Sequence, residues 1–303
     1  MDGAGKTIAV TGSTGFIGRS VIRQLIERGY SVNALFRRAT ELDGIRSVQG
    51  DLDNKTALQS LASGADTFIH IAGLTKARTL KHLLQVNETG AANAAAAAEK
   101  AGIRRFILVS SIAAREPHLS HYAASKRAGE EAVKAQLGQT ELIIIRPPAI
   151  IGPGDEATRP MLDILQRGYL PAPGGKARAT SRMSFVYMDD IARFLVEAIE
   201  RVKDRDILTP HGGTPSTSWQ ELADTAAEIL DRPVKLLPIP RPILKGSALI
   251  SQFTTAIFLK SSFFNTGKVR ELLHNDWTGE TAIVNARTLS EALTLAFELD
   301  RSV

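Results

Sequence analysis

The sequence predicts an α/β protein whose larger part is a doubly wound parallel sheet and whose smaller, C-terminal lobe is mostly helical. Two patterns favour this fold class. Over the first 146 residues, short β-branched and aliphatic runs alternate with longer helical patterns, as in a parallel sheet covered on both faces. Beyond Arg146, the segments PPAIIGPGD and PAPGGKARAT are rich in Pro and Gly, which indicates loops that lead into a second lobe.

The predicted elements follow in order along the chain. We expect the first strands at Thr7–Thr11, Ser31–Phe36, Thr67–Ile71, Arg105–Ser110 and Leu142–Arg146. We expect helices between them at Gly15–Gly29, Asn54–Ala62, Asn87–Ala101 and His121–Leu137. Later elements are a helix at about Ala157–Arg167, a strand at Met183–Met188, a helix at Asp189–Arg201 and a strand at Asp206–Thr209. Residues 1–152 with about 186–212 should form the larger domain, and about 153–185 with 213–303 the lobe.

The composition excludes several classes of protein. Hydrophobic residues make up 44% and charged residues 23% of the 303 residues, which is typical of a globular chain. No cysteine is present, which excludes disulfide scaffolds, thiolate nucleophiles and Cys-containing metal sites, and we predict no metal. Lys and Arg outnumber Asp and Glu by 37 to 32 and are spread along the chain, so no nucleic-acid partner is expected. The N-terminus MDGAGKTIAV lacks the apolar run of a secretory signal, which favours a cytoplasmic location.

A glycine-rich turn, TGSTGFIG, connects the first predicted strand directly to an amphipathic helix. In such a turn Gly12 can adopt backbone angles closed to other residues, Gly15 lets the chain approach a pyrophosphate, and Gly18 lets the helix pack closely. The strand, turn and helix together predict a Rossmann-type dinucleotide site. We expect this part of the site to consist of Gly12, Thr14, Gly15, Phe16, Ile17 and Gly18.

Arg37 and Arg38 end the second predicted strand, where NAD-binding Rossmann domains carry an Asp or Glu for the ribose. A guanidinium there would bind a ribose 2′-phosphate through charge-assisted hydrogen bonds, so we predict that NADP(H) is preferred over NAD(H). The alternative is that both arginines are solvated loop residues. Asp51 and Leu52 follow the next expected strand and would lie near the adenine.

Tyr122 and Lys126 are four residues apart in HYAASKRAGEEAV, which puts both side chains on one face of a helix. An ammonium group near a phenol lowers the phenol pKa toward the working range, and the pair can then relay a proton. Ser110 and Ser111 follow a central strand at the sheet edge where α/β proteins bind ligands, so a serine hydroxyl there could hold a substrate carbonyl. Each of these residues taken alone could be a surface or turn residue, and Asn87 could equally cap the alanine-rich helix.

Eight short motifs occur in the order typical of one family over about the first 190 residues. They are TGSTGFIG, GDL, HIAG, VNETGAAN, VSS, YAASK, RPPAIIGPGD and FVYMDD. Together they make the chain resemble an extended short-chain dehydrogenase/reductase of the NAD-dependent epimerase/dehydratase type. The resemblance implies that Ser111, Tyr122 and Lys126 are the catalytic trio. Ser111 is chosen over Ser110 because the family serine is the last of its run.

The resemblance also implies further cofactor contacts and a subunit interface. Besides Tyr122 and Lys126, the residues implied are Ala72, Gly73, Pro147 and Pro148. His70, at the end of a strand, is expected to be structural. Relatives often form homodimers through the two helices that correspond to Asn87–Ala101 and His121–Leu137, so a homodimer is expected here.

The resemblance also indicates which reactions of the family this chain is expected to catalyse. Dehydratases carry Thr-Asp-Glu after the serine strand, whereas this chain has Ser-Ile-Ala-Ala-Arg, so dehydration is not expected. A nucleotide-sugar epimerase stays open, with Arg159, Arg178 or Arg182 as the clamp for its diphosphate. A non-catalytic NADP(H)-binding subunit or sensor also stays open, although the intact YAASK motif argues against it.

The C-terminal region is rich in apolar side chains and poor in acids. The apolar residues are Ile243, Leu244, Leu249, Ile250, Phe253, Ile257, Phe258, Leu259, Phe263 and Phe264. They could form the core of the lobe, a substrate channel, or a helix lying on the inner face of an anionic membrane. The last two favour an apolar substrate. We therefore predict an NADP(H)-dependent reductase of a hydrophobic, long-chain or steroid-like ketone, in which Tyr122 protonates the alkoxide, Ser111 holds its oxygen and Lys126 tunes the tyrosine.

Overall fold

A parallel sheet of seven strands forms the centre of the protein in a computed structural model that describes residues 5–38, 44–155, 157–175, 181–201, 206–244, 246 and 266–300. The strands of the described chain are β1 (Thr7–Thr11), β2 (Ser31–Phe36), β3 (Ile45–Gln49), β4 (Thr67–His70), β5 (Arg105–Val109), β6 (Glu141–Ile145), β7 (Ala149–Ile151), β8 (Tyr169–Pro173), β9 (Arg182–Met183), β10 (Phe185–Tyr187), β11 (Ile207–Leu208), β12 (Pro210–His211), β13 (Lys235–Ile239), β14 (Asp276–Trp277) and β15 (Thr281–Ala282). In space the central sheet has the order β11-β6-β5-β4-β1-β2-β3. The chain leaves β1 toward one edge and returns through β4 toward the other. The carboxyl ends of β1 and β4 therefore border the crevice in which doubly wound sheets bind ligands.

The helices of the described chain either cover the two faces of this sheet or belong to the C-terminal lobe. They are α1 (Phe16–Glu27), α2 (Lys55–Ala62), α3 (Leu80–Leu84), α4 (Ala91–Lys100), α5 (His121–Gln136), α6 (Arg159–Gln166), α7 (Met188–Arg201), α8 (Trp219–Leu230), α9 (Thr266–Leu272) and α10 (Leu289–Asp300). Apolar residues of α1 and α7 pack on one face, and those of α2, α4 and α5 pack on the other. The small alanines of α4 allow α2 and α5 to approach closely. The predicted fold class is confirmed.

The C-terminal lobe has its own apolar core. Its helices α6, α8 and α10 pack around Leu165, Leu170, Trp219, Leu222 and Leu293. Four short parallel pairs of the described chain form small sheets outside the central one: β8 with β13 and β9 with β14 lie within the lobe, and β7 with β10 and β12 with β15 join the lobe to the segments that follow the central strands. No helix in the described part of the chain is both long and apolar enough to cross a membrane. The domain boundaries given above stay a prediction.

Two elements differ from the expectation. The chain is helical from Leu80, through a π-helical segment at Gln85–Gly90, into α4, whereas the sequence predicted a helix beginning at Asn87. The strand predicted at Met183–Met188 is two short strands, β9 and β10, and Met188 already begins α7. π-Segments inside helices often mark functional positions because the extra residue redirects a side chain.

Candidate functional site

The glycine turn after β1 is closely packed in a way that only glycine permits. Gly12 has a φ of +77°, and a Cβ atom there would lie 2.6 Å from the Ala72 nitrogen that follows β4. A Cβ at Gly18 would lie 2.0 Å from the Gly12 oxygen, and one at Gly15 3.2 Å from the same oxygen. Gly18 therefore lets α1 pack against its own turn, while Gly12 lets the turn approach the end of β4.

The N-terminus of α1 opens beside this turn. Gly15 is its N-cap residue and supplies no side-chain hydrogen bond. The first N–H groups of a helix have no partner within the helix, and together with the helix dipole they attract an anion. Thr14 is exposed, and Phe16 and Ile17 are half-buried. A turn that a Cβ would obstruct, leading into an uncapped helix, fits the pyrophosphate of a dinucleotide.

The predicted adenosine residues lie beyond the second and third strands. Arg37 and Arg38 follow β2 directly, and both are exposed. The carboxylate of Asp51 accepts hydrogen bonds of 3.0 Å from the main-chain nitrogens of the two residues at positions 53 and 54, so it shapes the loop before α2. Leu52 packs against Gly90, where a Cβ would lie 2.7 Å from the Leu52 side chain. Their contacts with the adenosine stay predictions.

Ser111, Tyr122 and Lys126 meet at the carboxyl end of β5. Ser120 caps α5 by accepting a hydrogen bond of 2.9 Å from the Ala123 nitrogen, and Tyr122 and Lys126 follow on one face of the helix. The hydroxyl of Ser111 accepts a hydrogen bond of 3.2 Å from the Ala113 nitrogen, and its interaction with the Tyr122 hydroxyl lowers the pKa of that phenol. The Lys126 Nζ donates to the Val109 oxygen at 2.9 Å. The three predicted residues thus line one cleft at the end of β5, and their catalytic role stays a prediction.

The pKa values of Tyr122 and Lys126 are both shifted, and that of Tyr122 is raised where the sequence predicted a lower value. Burial raises the pKa of Tyr122 to about 12, although the hydrogen bond from Ser111 acts in the opposite direction. Burial also lowers the pKa of Lys126 to about 8, against the charge of Glu130. Desolvation thus moves the pKa of Tyr122 opposite to the direction expected from the ammonium. At neutral pH the phenol keeps its proton, which is the state needed to protonate an alkoxide.

The neighbouring Ser110 serves a different network. Its hydroxyl donates to Glu130 at 2.5 Å, and Glu130 is fully buried. Arg146 donates to the same carboxylate through Nε at 2.8 Å and through a terminal nitrogen at 2.5 Å. Of the two serines, the hydroxyl of Ser111 contacts Tyr122, and that of Ser110 joins a buried ion pair between α5 and the end of β6.

Asn87 and His70 form buried hydrogen bonds next to the site. Asn87 does not cap a helix: it lies in the π-segment, and its amide accepts from the Leu74 nitrogen at 2.8 Å and donates to the Leu74 oxygen at 2.9 Å. It also donates to Ser125 of α5 at 2.9 Å. His70 shares a hydrogen bond of 2.9 Å with Thr11, and burial lowers its pKa to about 3, so it stays neutral. These contacts hold the loop after β4 against α5.

Most of the predicted residues line one cleft, whose volume is about 1820 Å³. The predicted residues in its wall are Gly12, Gly15, Phe16, Ile17, Ala72, Gly73, Ser111, Tyr122, Lys126, Pro147 and Pro148. Those outside its wall are Thr14, Gly18, Arg37, Arg38, Asp51 and Leu52. Ser120, Glu271 and Trp277 also line the cleft, and sequence reasoning gave them no role because no local pattern distinguishes them. The volume exceeds a common small-molecule pocket and could hold a dinucleotide with a second ligand.

The wall of the cleft is largely apolar. It includes Leu74, Leu83, Ile112, Met161, Ile164, Leu170, Met183, Phe185, Trp219, Leu244 and Leu272. Of the apolar C-terminal residues singled out above, Ile243 and Leu244 also line the cleft. The others, from Leu249 to Phe264, lie outside the described residues. The described part of the chain contains no group of three or more His, Asp or Glu side chains that could hold a metal ion.

Two of the proposed diphosphate-binding arginines are engaged within the lobe. Arg182 donates to both carboxylate oxygens of Glu221, at 2.9 and 2.8 Å, and to the Ser216 hydroxyl. Arg159 donates to Asp163 at 2.6 Å. Arg178 lies outside the described residues. These carboxylates and a phosphate would compete for donors of the same guanidinium groups.

Known proteins resemble this chain in sequence and in fold. The model of the NAD dependent epimerase/dehydratase family matches residues 8–208, from β1 to β11. Ceramide reductase of Caulobacter vibrioides is 41% identical over 283 residues, which cover 91% of this chain and 86% of that protein. UDP-glucose 4-epimerase of Vibrio cholerae is 28% identical over 262 residues, 78% and 79% of the two chains. The structure of MoeE5 in complex with UDP-glucose and NAD, 21% identical, has a TM-score of 0.69 over 98% of this chain and 99% of that one, which supports the fold.

Proposed function

The chain belongs to the NAD-dependent epimerase/dehydratase family, and from that premise we propose that it is an NADP(H)-dependent oxidoreductase that reduces the ketone of a long-chain lipid. The family uses a nicotinamide dinucleotide, which supplies the hydride when bound. The remaining chemistry is the delivery of a proton to the carbonyl oxygen, and side chains of this protein can perform it.

The contact between Ser111 and Tyr122 carries the proposal. The Ser111 hydroxyl would hold the carbonyl oxygen, and the Tyr122 phenol would donate its proton to that oxygen as negative charge develops. Lys126, one helical turn further on, would bind ribose hydroxyls and stabilise the phenolate that remains. The raised Tyr122 pKa supports the reductive direction, because the phenol is protonated before the reaction.

The apolar wall of the cleft and the 41% identity to a ceramide reductase support a lipid substrate. A ceramide carries a secondary hydroxyl group on a long apolar chain, and reduction of the corresponding ketone would form that group. Burial of each methylene contributes about 0.8 kcal/mol to binding, so an apolar cleft selects long chains over short ones.

Oxidation of NADPH, followed by absorbance with ketones of increasing chain length, tests this function. We expect kcat/KM to rise with chain length, by up to about fourfold for each buried methylene. Activity confined to short polar ketones would contradict the lipid substrate. Interconversion of nucleotide sugars without added cofactor would instead identify an epimerase, and NADPH binding without turnover of any ketone would indicate a non-catalytic subunit.

Arg37 and Arg38 support NADP(H) as the preferred cofactor, because both guanidinium groups are exposed directly after β2. We expect Arg37→Ala to weaken NADPH binding by about tenfold or more, since charge-assisted hydrogen bonds contribute about 1.5–3 kcal/mol, and to leave NADH binding nearly unchanged. Fluorescence titration measures both affinities. Arg232→Ala, an exposed arginine of the lobe, is the control and should change neither. Equal losses for NADPH and NADH would refute the contact with the 2′-phosphate.

The remaining parts of the proposal concern organisation. Residues 1–152 with about 186–212 would hold the dinucleotide, and about 153–185 with 213–303 would hold the substrate. Two copies would pair through α4 and α5. The C-terminal region, rich in apolar residues and poor in acids, would touch the surface of a membrane from the cytoplasmic side, where a lipid substrate is available.

A further inference from the structure

Glu271 is a buried carboxylate in the wall of the cleft, and the proposed proton transfer does not use it. It lies in α9, and only 7% of its surface is exposed. One carboxylate oxygen contacts the hydroxyl of Ser120, and the other accepts a hydrogen bond of 3.2 Å from the Lys268 Nζ. Its main-chain oxygen accepts from the Trp277 indole at 2.8 Å. The carboxylate is thus held in place by Lys268 of α9 and by Ser120, the N-cap residue of α5.

This carboxylate lies close to the reacting group. Ser120 precedes Tyr122 by two residues, and both residues line the cleft with Glu271. The negative charge of Glu271 contributes to the raised pKa of Tyr122, after the larger effect of burial. An ionised carboxylate only accepts hydrogen bonds and has about four lone-pair positions, of which the contacts with Ser120 and Lys268 use two. The group can therefore accept a hydrogen bond from a ligand beside Tyr122.

We propose that Glu271 determines substrate specificity by accepting a hydrogen bond from a hydroxyl or amide N–H group next to the ketone. This inference rests on the proposed function, because it names the substrate class of the same site. A buried acceptor that loses its hydrogen-bond partner costs free energy of binding. A site whose acceptor pairs with a donor on the substrate therefore rejects analogues that lack this donor. The substrate is then a long-chain ketone that carries a donor close to its carbonyl, and a plain alkyl or steroid ketone fits less well.

A comparison of substrates on the unaltered protein tests the proposal first. We expect a long-chain keto amide with a free N–H and a free hydroxyl to have a kcat/KM about tenfold or more above that of its N-methyl, O-methyl analogue. The two singly methylated analogues identify which donor Glu271 accepts. Equal kcat/KM values for all four compounds would overturn the proposal.

Variants of Glu271 show whether the methylated substrates react more slowly because a hydrogen bond is lost or because the methyl groups are too large for the cleft. Glu271→Gln keeps the size of the side chain but removes its charge, and the preference for the free donors should fall by about tenfold. Glu271→Asp keeps the charge and should retain more of that preference. Glu280→Gln makes the same charge change at an exposed residue of the lobe outside the cleft and should leave the preference intact. If Glu271→Gln lowers activity on all four compounds alike, the residue is only structural and the proposal is wrong.

Equilibrium binding distinguishes failure of this inference from failure of the proposed function. Calorimetry with NADP(H) present measures the affinity for the hydroxy amide and for its methylated analogues. If no ketone is reduced by the unaltered protein, the proposed function fails. A binding preference that Glu271→Gln removes would still support the role of Glu271, whereas equal affinities would overturn it.

Discussion

Replacement of Tyr122 by Phe is expected to lower the turnover of ketone reduction by at least about a hundredfold. The variant keeps the aromatic ring but loses the hydroxyl that contacts Ser111 and would protonate the developing alkoxide. Ser111 cannot replace it, because a serine hydroxyl is a much weaker acid than a phenol. Absorbance at saturating NADPH measures turnover. NADPH affinity, measured by fluorescence titration, should change little, because the glycine turn and the start of α1 are untouched.

Tyr169→Phe is the matched control for this experiment. Tyr169 lies on β8, is 44% exposed and is not in the wall of the cleft. Removal of its hydroxyl should leave turnover within about twofold of the unaltered protein, since surface substitutions away from special features have small effects. Turnover of Tyr122→Phe as high as that of Tyr169→Phe would exclude Tyr122 as the proton donor.

Loss of the buried carboxylate of Glu130 should give the largest effect on stability. Glu130 is fully buried, and Arg146, only 7% exposed, donates two hydrogen bonds to it. Those hydrogen bonds raise the pKa of Arg146, so the guanidinium stays charged. Glu130→Ala would leave that charge buried without its partner and would also release the Ser110 hydroxyl. We expect a loss of about 3–5 kcal/mol in the free energy of unfolding, measured by urea denaturation.

Two further variants identify the cause of that loss. Glu27→Ala removes an ion pair of 3.2 Å with Arg23 in which both side chains are more than half exposed, and it should cost only about 0.3–0.5 kcal/mol. The double substitution Glu130→Leu with Arg146→Met removes both buried charges and should recover most of the stability. A double variant as unstable as Glu130→Ala would show that the lost packing, and not the unpaired charge, is responsible.

Much of the candidate site could be predicted because its residues are recognisable from local spacing. The turn TGSTGFIG follows a strand directly, and Tyr122 and Lys126 are one helical turn apart. In a parallel sheet, the residues after each strand come to one edge, so the serines after β5 could be expected near the turn after β1. Local sequence patterns also predicted the strands: the bounds of five predicted strands of the central sheet lie within one residue of the observed bounds.

Other features depend on contacts between residues far apart in the chain. Glu271 is 151 residues from Ser120, and no spacing rule connects α9 to the start of α5. The helical start before Asn87 was missed because the amide of this residue bonds the main chain of Leu74 instead of capping the alanine-rich helix. The direction of the Tyr122 pKa was also missed, since desolvation depends on what covers the side chain.

The resemblance to the family selected Ser111, Tyr122 and Lys126 at the edge of the sheet. Chain-local patterns were sufficient to predict the parallel α/β sheet and the glycine turn after its first strand. They suffice because strand alternation, helical spacing and glycine geometry are properties of neighbouring residues. The tertiary structure alone decided that Ser110 joins the buried ion pair of Glu130 and Arg146, that burial raises the pKa of Tyr122, and that Glu271 contacts Ser120. Burial and the partners of a charged group depend on the whole fold, and for that reason no local pattern contains them.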